Sequence, residues 1–213
     1  MKTFNPVVVL KDTACQLVKS SVYLVQHLWP VLAALVVAGI FLKGPASIIV
    51  VPILCILLTH ITEYTMDGKI KQTPFYGFRW RKAETHFLVY TVFLYAMLVL
   101  FISLPAIITA QLSEDASSST VLGLVMLSIA FILFALSRLF LVFPLIIKRG
   151  TLGIKESWRA TGEIWYKTFF LVALFHGVLV GLYIFIKSPY VEILASLFQA
   201  MLATNVYKKV KQS

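Results

Sequence analysis

Apolar residues occur along this chain in six long runs, and shorter polar segments separate them. Each run is close to 20 residues long, roughly the length of α-helix that crosses the hydrocarbon core of a bilayer. The runs predict membrane-spanning helices over about residues 22–42, 46–64, 86–110, 121–147, 168–186 and 190–207. The sequence therefore predicts an all-α fold, a polytopic bundle of six transmembrane helices that occupies residues 1–213 as a single domain.

The sixth run is the most polar of the six. Five hydrogen-bonding side chains interrupt it, namely Glu192, Ser196, Gln199, Thr204 and Asn205. A helix with this pattern either crosses the membrane packed against its neighbours or lies flat in the interface. Hydropathy alone leaves both interpretations open.

The basic residues concentrate in alternate connecting segments. Of the 19 Lys and Arg, three precede the first run, five lie in each of the segments 65–85 and 148–167, and three follow the sixth run. Only Lys43 and Lys187 lie in the intervening turns, and Arg138 lies within the fourth run. Since cytoplasmic loops carry the excess of Lys and Arg, both termini are predicted to be cytoplasmic. This orientation requires an even number of spans and favours a sixth run that crosses.

A basic, partly amphipathic stretch precedes each pair of runs, over residues 4–20, 75–85 and 151–167. Apolar and aromatic side chains alternate there with Lys and Arg, a pattern typical of a short helix in the inner headgroup region. The sequence therefore predicts short amphipathic helices on the cytoplasmic face. It also indicates a threefold repeat of one such helix followed by one helical hairpin.

The composition excludes a soluble globular domain. Hydrophobic residues make up 60% of the chain and charged residues only 13%, whereas soluble domains carry about 25% charged residues. The net charge of +10 would suggest nucleic acid for a soluble protein. Here the charge lies beside apolar runs, so we expect the bilayer and its anionic lipids as partners, and no nucleic acid. The two cysteines, Cys15 and Cys55, argue against a disulfide framework.

The segment after the fourth run carries a distinctive set of small, aromatic and hydroxyl side chains. It contains Phe143-Pro144-Leu145-Ile146-Ile147, then Gly150, Gly153-Ile154, Ser157-Trp158-Arg159, Thr161-Gly162 and Trp165. This pattern resembles poorly characterised bacterial inner-membrane families, which include the YciC-like proteins and the membrane domain fused to some glycerophosphodiester phosphodiesterases. Here Gly162 directly follows Thr161, one residue earlier than in those families.

The resemblance implies a multi-pass protein of the cell inner (plasma) membrane. It implies no catalytic residues, because the phosphodiesterase chemistry of the fused proteins belongs to a separate soluble domain. Trp158, Arg159 and Trp165 in the matching segment, together with Arg79 and Arg81 in the earlier basic loop, are predicted to lie at the cytoplasmic interface, where aromatic and basic side chains collect.

Arg138 is the first candidate functional residue, because an ionised side chain within a span is costly and often functional. It could form an internal ion pair, with Glu63 as the candidate partner, or contact a substrate or lipid phosphate. It could also extend its guanidinium to cytoplasmic phosphates by snorkelling. Along one continuous helix it would lie roughly 15 Å from Lys148, which is deep for snorkelling.

His60, Glu63 and Asp67 form the second candidate, because their spacing places them on one helix face at the inner end of the second run. Such a cluster could form a proton path or a metal site. Alternatively, its members could be polar residues that are simply hydrated at the membrane interface. No second ligand pair at helical spacing accompanies it, so we expect no metal and no cofactor. His176 lies about two turns into the fifth run as a further intramembrane polar residue.

Gly177 and Gly181 form a G-x-x-x-G pattern in the fifth run, which allows close approach of a neighbouring helix. We interpret it as packing within the bundle in preference to a dimer face.

The sequence contains no P-loop, no G-x-S-x-G and no H-E-x-x-H motif, so no catalytic residue is predicted. The favoured function is a non-enzymatic membrane protein of envelope or lipid homeostasis, or a subunit of a membrane assembly with a membrane-protein partner. One alternative is a small transporter or permease subunit, supported by Arg138 and the prolines within the runs. The other is a membrane-embedded enzyme that modifies lipid.

Overall fold

The computed structural model describes residues 4–41, 50–69, 80–111, 118–186 and 189–211. These residues form α-helices and short connections, with no β-strand among them, which confirms the predicted all-α fold for this part of the chain. The helices are α1 (Pro6–Phe41), α2 (Val50–Asp67), α3 (Lys82–Gln111), α4 (Ser118–Leu139), α5 (Val142–Arg149), α6 (Ile154–Gly162), α7 (Trp165–Ile186) and α8 (Pro189–Lys211).

Five helical segments are long and apolar enough to cross a membrane, as expected of a membrane protein. They are Pro6–Ala38, Val50–Asp67, Lys82–Phe101, Ser119–Arg149 and Trp165–Ile186. These segments correspond to the first five predicted spans. Lys43 and Lys187 of the predicted turns, and residues 112–117 between α3 and α4, lie outside the described residues.

The first predicted interfacial helix and the first predicted span are one helix, so the prediction of two separate elements is wrong here. α1 runs for 36 residues. Its buried side chains recur on one face at intervals of three, four or seven residues, at Val9, Thr13, Ser20, Leu24, Leu28, Val31 and Leu35. This stripe continues through residues 20–22, and no glycine or proline there would end the helix.

The other two predicted interfacial helices have different outcomes. Residues 75–79 of the second one lie outside the described part of the chain, and the rest enter the first turn of α3. The third one contains a separate nine-residue helix, α6, which buries the polar side chains of Ser157 and Thr161.

The fourth candidate span, Ser119–Arg149, is interrupted by a turn, so it is not the single continuous helix expected over 121–147. α4 ends at Leu139, and α5 begins at Val142 after a turn at Phe140 and Leu141. Pro144 explains the break, because its ring nitrogen carries no hydrogen and cannot donate to the carbonyl of Phe140. Proline is tolerated in the first turn of a helix, which is where it lies in α5.

α8, which contains the sixth run, packs against four other helices of the bundle. It lies against α1, α2, α5 and α7. Six residues of one stretch have no exposed surface, namely Ala200, Met201, Leu202, Ala203, Thr204 and Val206. Asn205 of α8 bonds to another helix inside the protein: its Nδ2 donates to Thr13 Oγ1 at 3.0 Å and to Gln16 Oε1 at 2.9 Å.

Polar contacts bring the ends of several helices together at one end of the bundle. Lys208 Nζ donates to the carbonyl oxygen of Thr65, which joins the last turns of α8 and α2. Lys167 Nζ donates to the carbonyl oxygen of Phe4 at 3.0 Å, which joins the start of α7 to the residues before α1. We call this the basic end, because Lys148, Lys167, Lys208 and Lys211 all lie there.

Candidate functional site

Two hydroxyl side chains of α6 stabilise the break between α4 and α5. Ser157 Oγ donates to the carbonyl oxygen of Arg138 at 2.8 Å and accepts from the backbone N–H of Leu141 at 3.2 Å. Thr161 Oγ1 lies 3.1 Å from the same carbonyl oxygen. Backbone groups that a helix break leaves unpaired must find other partners when they are buried. The Ser157 and Thr161 hydroxyls therefore fix α6 against the last turn of α4.

This contact places Arg138 between two residues of α6. Its guanidinium carbon lies 4.7 Å from the centroid of the Trp158 ring, a cation–π contact. A β-carbon built on Gly162 would lie 3.4 Å from Arg138 Nη1, so the guanidinium also packs across this glycine. The buried Nε of Arg138 has no hydrogen-bond partner among the described residues.

The position of Arg138 in its helix changes the interpretation of its depth. Because α4 ends at Leu139, Arg138 occupies the last helical turn, and Lys148 belongs to another helix. The 20 residue steps from Ser118 to Arg138 span roughly 30 Å, the thickness of the hydrocarbon core. If α4 alone crosses the bilayer upright, the guanidinium lies at the level of a membrane interface.

Glu63 pairs with Arg81 and not with Arg138, which answers the question of the predicted internal pair. Arg81 Nη2 lies 2.7 Å from Glu63 Oε1 and 3.4 Å from Glu84 Oε1. The backbone N–H of Arg81 also donates to Glu84 Oε2 at 2.7 Å, so Glu84 caps the start of α3. The side chains of Glu63 and Glu84 are 4% and 0% exposed. This cluster ties α2 to α3.

Burial divides the His60, Glu63 and Asp67 set that the sequence predicts on one face of α2. His60 is buried, whereas Asp67 is exposed at the end of α2. Nδ1 of His27, His86 and His176 each lies within 2.9 Å of a carbonyl oxygen four residues earlier in its own helix. Within the described ranges, no three His, Cys, Asp or Glu side chains are arranged to hold a metal ion.

The glycine pair of α7 lies on open surface, so its interpretation as packing within the bundle is wrong. A β-carbon built on Gly177 or on Gly181 would meet no atom within 4 Å. No neighbouring helix of the described chain therefore uses the pair for close approach. Of the predicted interface residues, Trp158, Arg159 and Trp165 are exposed, Arg81 is half-buried in its ion pair, and Arg79 lies outside the described residues.

An aromatic surface adjoins Arg138. Phe134, one turn earlier on α4, contacts Trp158 and Trp165 edge to face, with ring centroids 6.1 Å and 6.4 Å apart. Trp158 and Trp165 are 42% and 47% exposed. The sequence pattern drew attention to the two tryptophans but gave Phe134, Ser157, Thr161 and Gly162 no role. The result is a half-buried cation beside exposed aromatic rings, an arrangement suited to an anion that carries an apolar group.

Comparisons of the chain with protein-family models, with curated proteins and with solved structures found no match. The resemblance of residues 143–165 to inner-membrane families therefore stays a prediction.

Proposed function

We propose that this chain is a six-span protein of the inner membrane, with both termini cytoplasmic, that binds anionic phospholipids at its basic end. Its role is non-enzymatic, in lipid or envelope homeostasis or as a lipid-binding subunit of a membrane assembly. The observation that carries the proposal is the gathering of lysines at one end of the bundle. Juxtamembrane basic clusters attract anionic headgroups by about 1 kcal/mol per Lys or Arg near the surface.

The lysines around Tyr207 support an anion at this end. Lys148 Nζ and Lys211 Nζ lie 5.7 Å and 5.8 Å from the centroid of the Tyr207 ring. Neither amine forms an ion pair with a carboxylate in the part of the chain that the structure describes. Two cations that share one ring repel each other, and a bound phosphate relieves this repulsion.

The packing of α8 supports a sixth span. Its 23 residues extend about 35 Å, enough to cross a core of roughly 30 Å. An interfacial helix would leave one face to the headgroups, whereas α8 has neighbours in α1, α2, α5 and α7. The contact of Lys208 with Thr65 places the last turn of α8 beside that of α2. With six crossings, both termini lie on the side favoured by the basic residues.

The placement of Arg138 favours lipid binding over the transporter alternative. A transporter site at the bilayer midplane would be expected to use an intramembrane cation that lines a cavity. Arg138 instead lies in the last turn of α4 and is covered by Trp158, which is itself 42% exposed. A ligand there would approach from the membrane interface.

Lipid titration of the full chain tests the proposed function. We expect the delipidated protein in mild detergent to bind phosphatidylglycerol about tenfold more tightly than phosphatidylcholine, a difference of about 1.4 kcal/mol, as measured by native mass spectrometry. The preference should shrink when nanodisc binding is measured at about 1 M salt, where the Debye length is about 3 Å. Equal affinity for the two lipids at low salt would refute the proposal.

A further inference from the structure

We propose that Arg138, Trp158 and Gly162 form a seat for the phosphate of one membrane phospholipid, with an acyl chain along α4. We call these three residues the phosphate seat. The inference rests on the proposed function and deepens it, because it assigns the binding of one lipid molecule to one cation.

The charge of Arg138 is the first argument. Its guanidinium is permanently ionised and half-buried, and it forms no ion pair with a carboxylate in the described part of the chain. Its nearest charged neighbours in sequence, Lys148 and Arg149, are also cations. A cation held in this way at a membrane interface favours an anionic partner, and phosphate is the anion that lipids supply there.

The geometry of the guanidinium is the second argument. Trp158 covers its face at 4.7 Å, while Gly162 allows Nη1 to approach the backbone of α6. Stacking uses the face of the guanidinium, whereas its N–H groups donate from the edge, in the plane of the group. That edge matches two oxygens of a phosphate in a bidentate pair. The Ser157 and Thr161 bonds to the Arg138 carbonyl hold the backbone that carries this side chain.

The apolar stripe that leads to Arg138 is the third argument, and it selects a lipid over a soluble phosphate ester. Leu127, Phe131 and Phe134 lie on the same face of α4 as Arg138, at helical spacing. Leu127 is 68% exposed and Phe131 is 48% exposed. The distance along the helix from Leu127 to Arg138 is roughly 16 Å, about half the hydrocarbon core. An acyl chain that extends through one leaflet has about this length.

The test compares three variants of the full chain in the same native mass spectrometry titration. Arg138→Gln is expected to weaken phosphatidylglycerol binding about tenfold, because it removes the cation but keeps the length of the side chain. Arg138→Lys keeps the charge but loses the two parallel N–H donors of the guanidinium. Its affinity for phosphatidylglycerol should therefore lie between that of Arg138→Gln and that of the wild type. Arg149→Gln is the matched control, because the Arg149 guanidinium already pairs with Glu156 at 3.3 Å. It should stay within about twofold of wild type, and circular dichroism checks that each variant is folded.

The outcomes separate the two proposals. If the wild type prefers phosphatidylglycerol but Arg138→Gln and Arg138→Lys bind it as the wild type does, the phosphate seat is refuted and the proposed function survives. If the wild type shows no preference, the proposed function itself is refuted. Glycerol 3-phosphate is the probe for a soluble source, and it should not displace the lipid at equal concentration. Displacement at equal concentration would overturn the assignment to lipid.

Discussion

Replacing Arg81 with alanine is expected to lower the free energy of unfolding by about 3 kcal/mol. Removal of one partner of a buried ion pair typically costs about 3–5 kcal/mol, and Arg81 lies at the lower end because its side chain is 37% exposed. The change takes away the guanidinium that Glu63 and Glu84 share, while both carboxylates stay buried between α2 and α3. Unfolding by SDS titration, followed by circular dichroism, measures the loss.

Lys82→Ala is the matched control for this prediction. Lys82 is the next residue along the chain and is exposed at the start of α3, so its removal should change the stability by a few tenths of a kcal/mol. Arg81→Lys should recover part of the loss, because it restores the charge without the planar fork. Equal stabilities for Arg81→Ala and Lys82→Ala would show that the cluster does not join α2 to α3.

Replacing Gly153 with alanine is also expected to cost about 3 kcal/mol, for two separate physical reasons. Gly153 has a φ of +57°, a left-handed conformation that costs an L-residue about 1 kcal/mol or more. In addition, the new β-carbon would lie 2.8 Å from the β-carbon of Leu145, which is attached to the backbone of α5 and cannot rotate away. The corner between α5 and α6 must therefore open, and the same SDS titration measures the effect.

Gly150→Ala separates the two causes. Gly150 has a φ of +64°, but a β-carbon there would meet no atom within 4 Å. Gly150→Ala should therefore lower the free energy of unfolding only by the conformational cost, about 1 kcal/mol. Similar losses for the two alanine variants would mean that the contact with Leu145 does not constrain the corner.

The sequence predicted the helical fold because apolar runs of span length have few alternatives in a chain with so little charge. The sequence could not show whether the polar side chains of the sixth run face the membrane interface or the interior of the bundle. Thr204 and Asn205 have the pattern of an interfacial helix, but the structure buries Thr204 and bonds Asn205 to α1. The partners, Thr13 and Gln16, lie about 190 residues earlier in the chain. No local pattern along α8 reveals a contact at that separation.

The candidate site shows the same limit. Pro144 disfavours a continuous helix, but the end of α4 is also stabilised by Ser157 and Thr161, which supply bonds from another helix. Arg138 was singled out for its charge, but the fourth run was taken as one continuous helix, so the turn after Leu139 was not expected. Glu63 and Arg81 are 18 residues apart and their pairing depends on how α2 packs against α3, which no local sequence pattern specifies.

The side of the membrane on which residue 213 lies tests the central claim of six crossings most directly. We would replace Cys15 and Cys55, introduce Ser213→Cys or Ser117→Cys singly, and treat intact cells with a maleimide reagent that does not cross membranes. Six spans with cytoplasmic termini predict labelling of Ser117→Cys in intact cells, and of Ser213→Cys only after permeabilisation. Labelling of Ser213→Cys in intact cells would contradict a crossing α8 and the orientation on which the lipid-binding proposal depends.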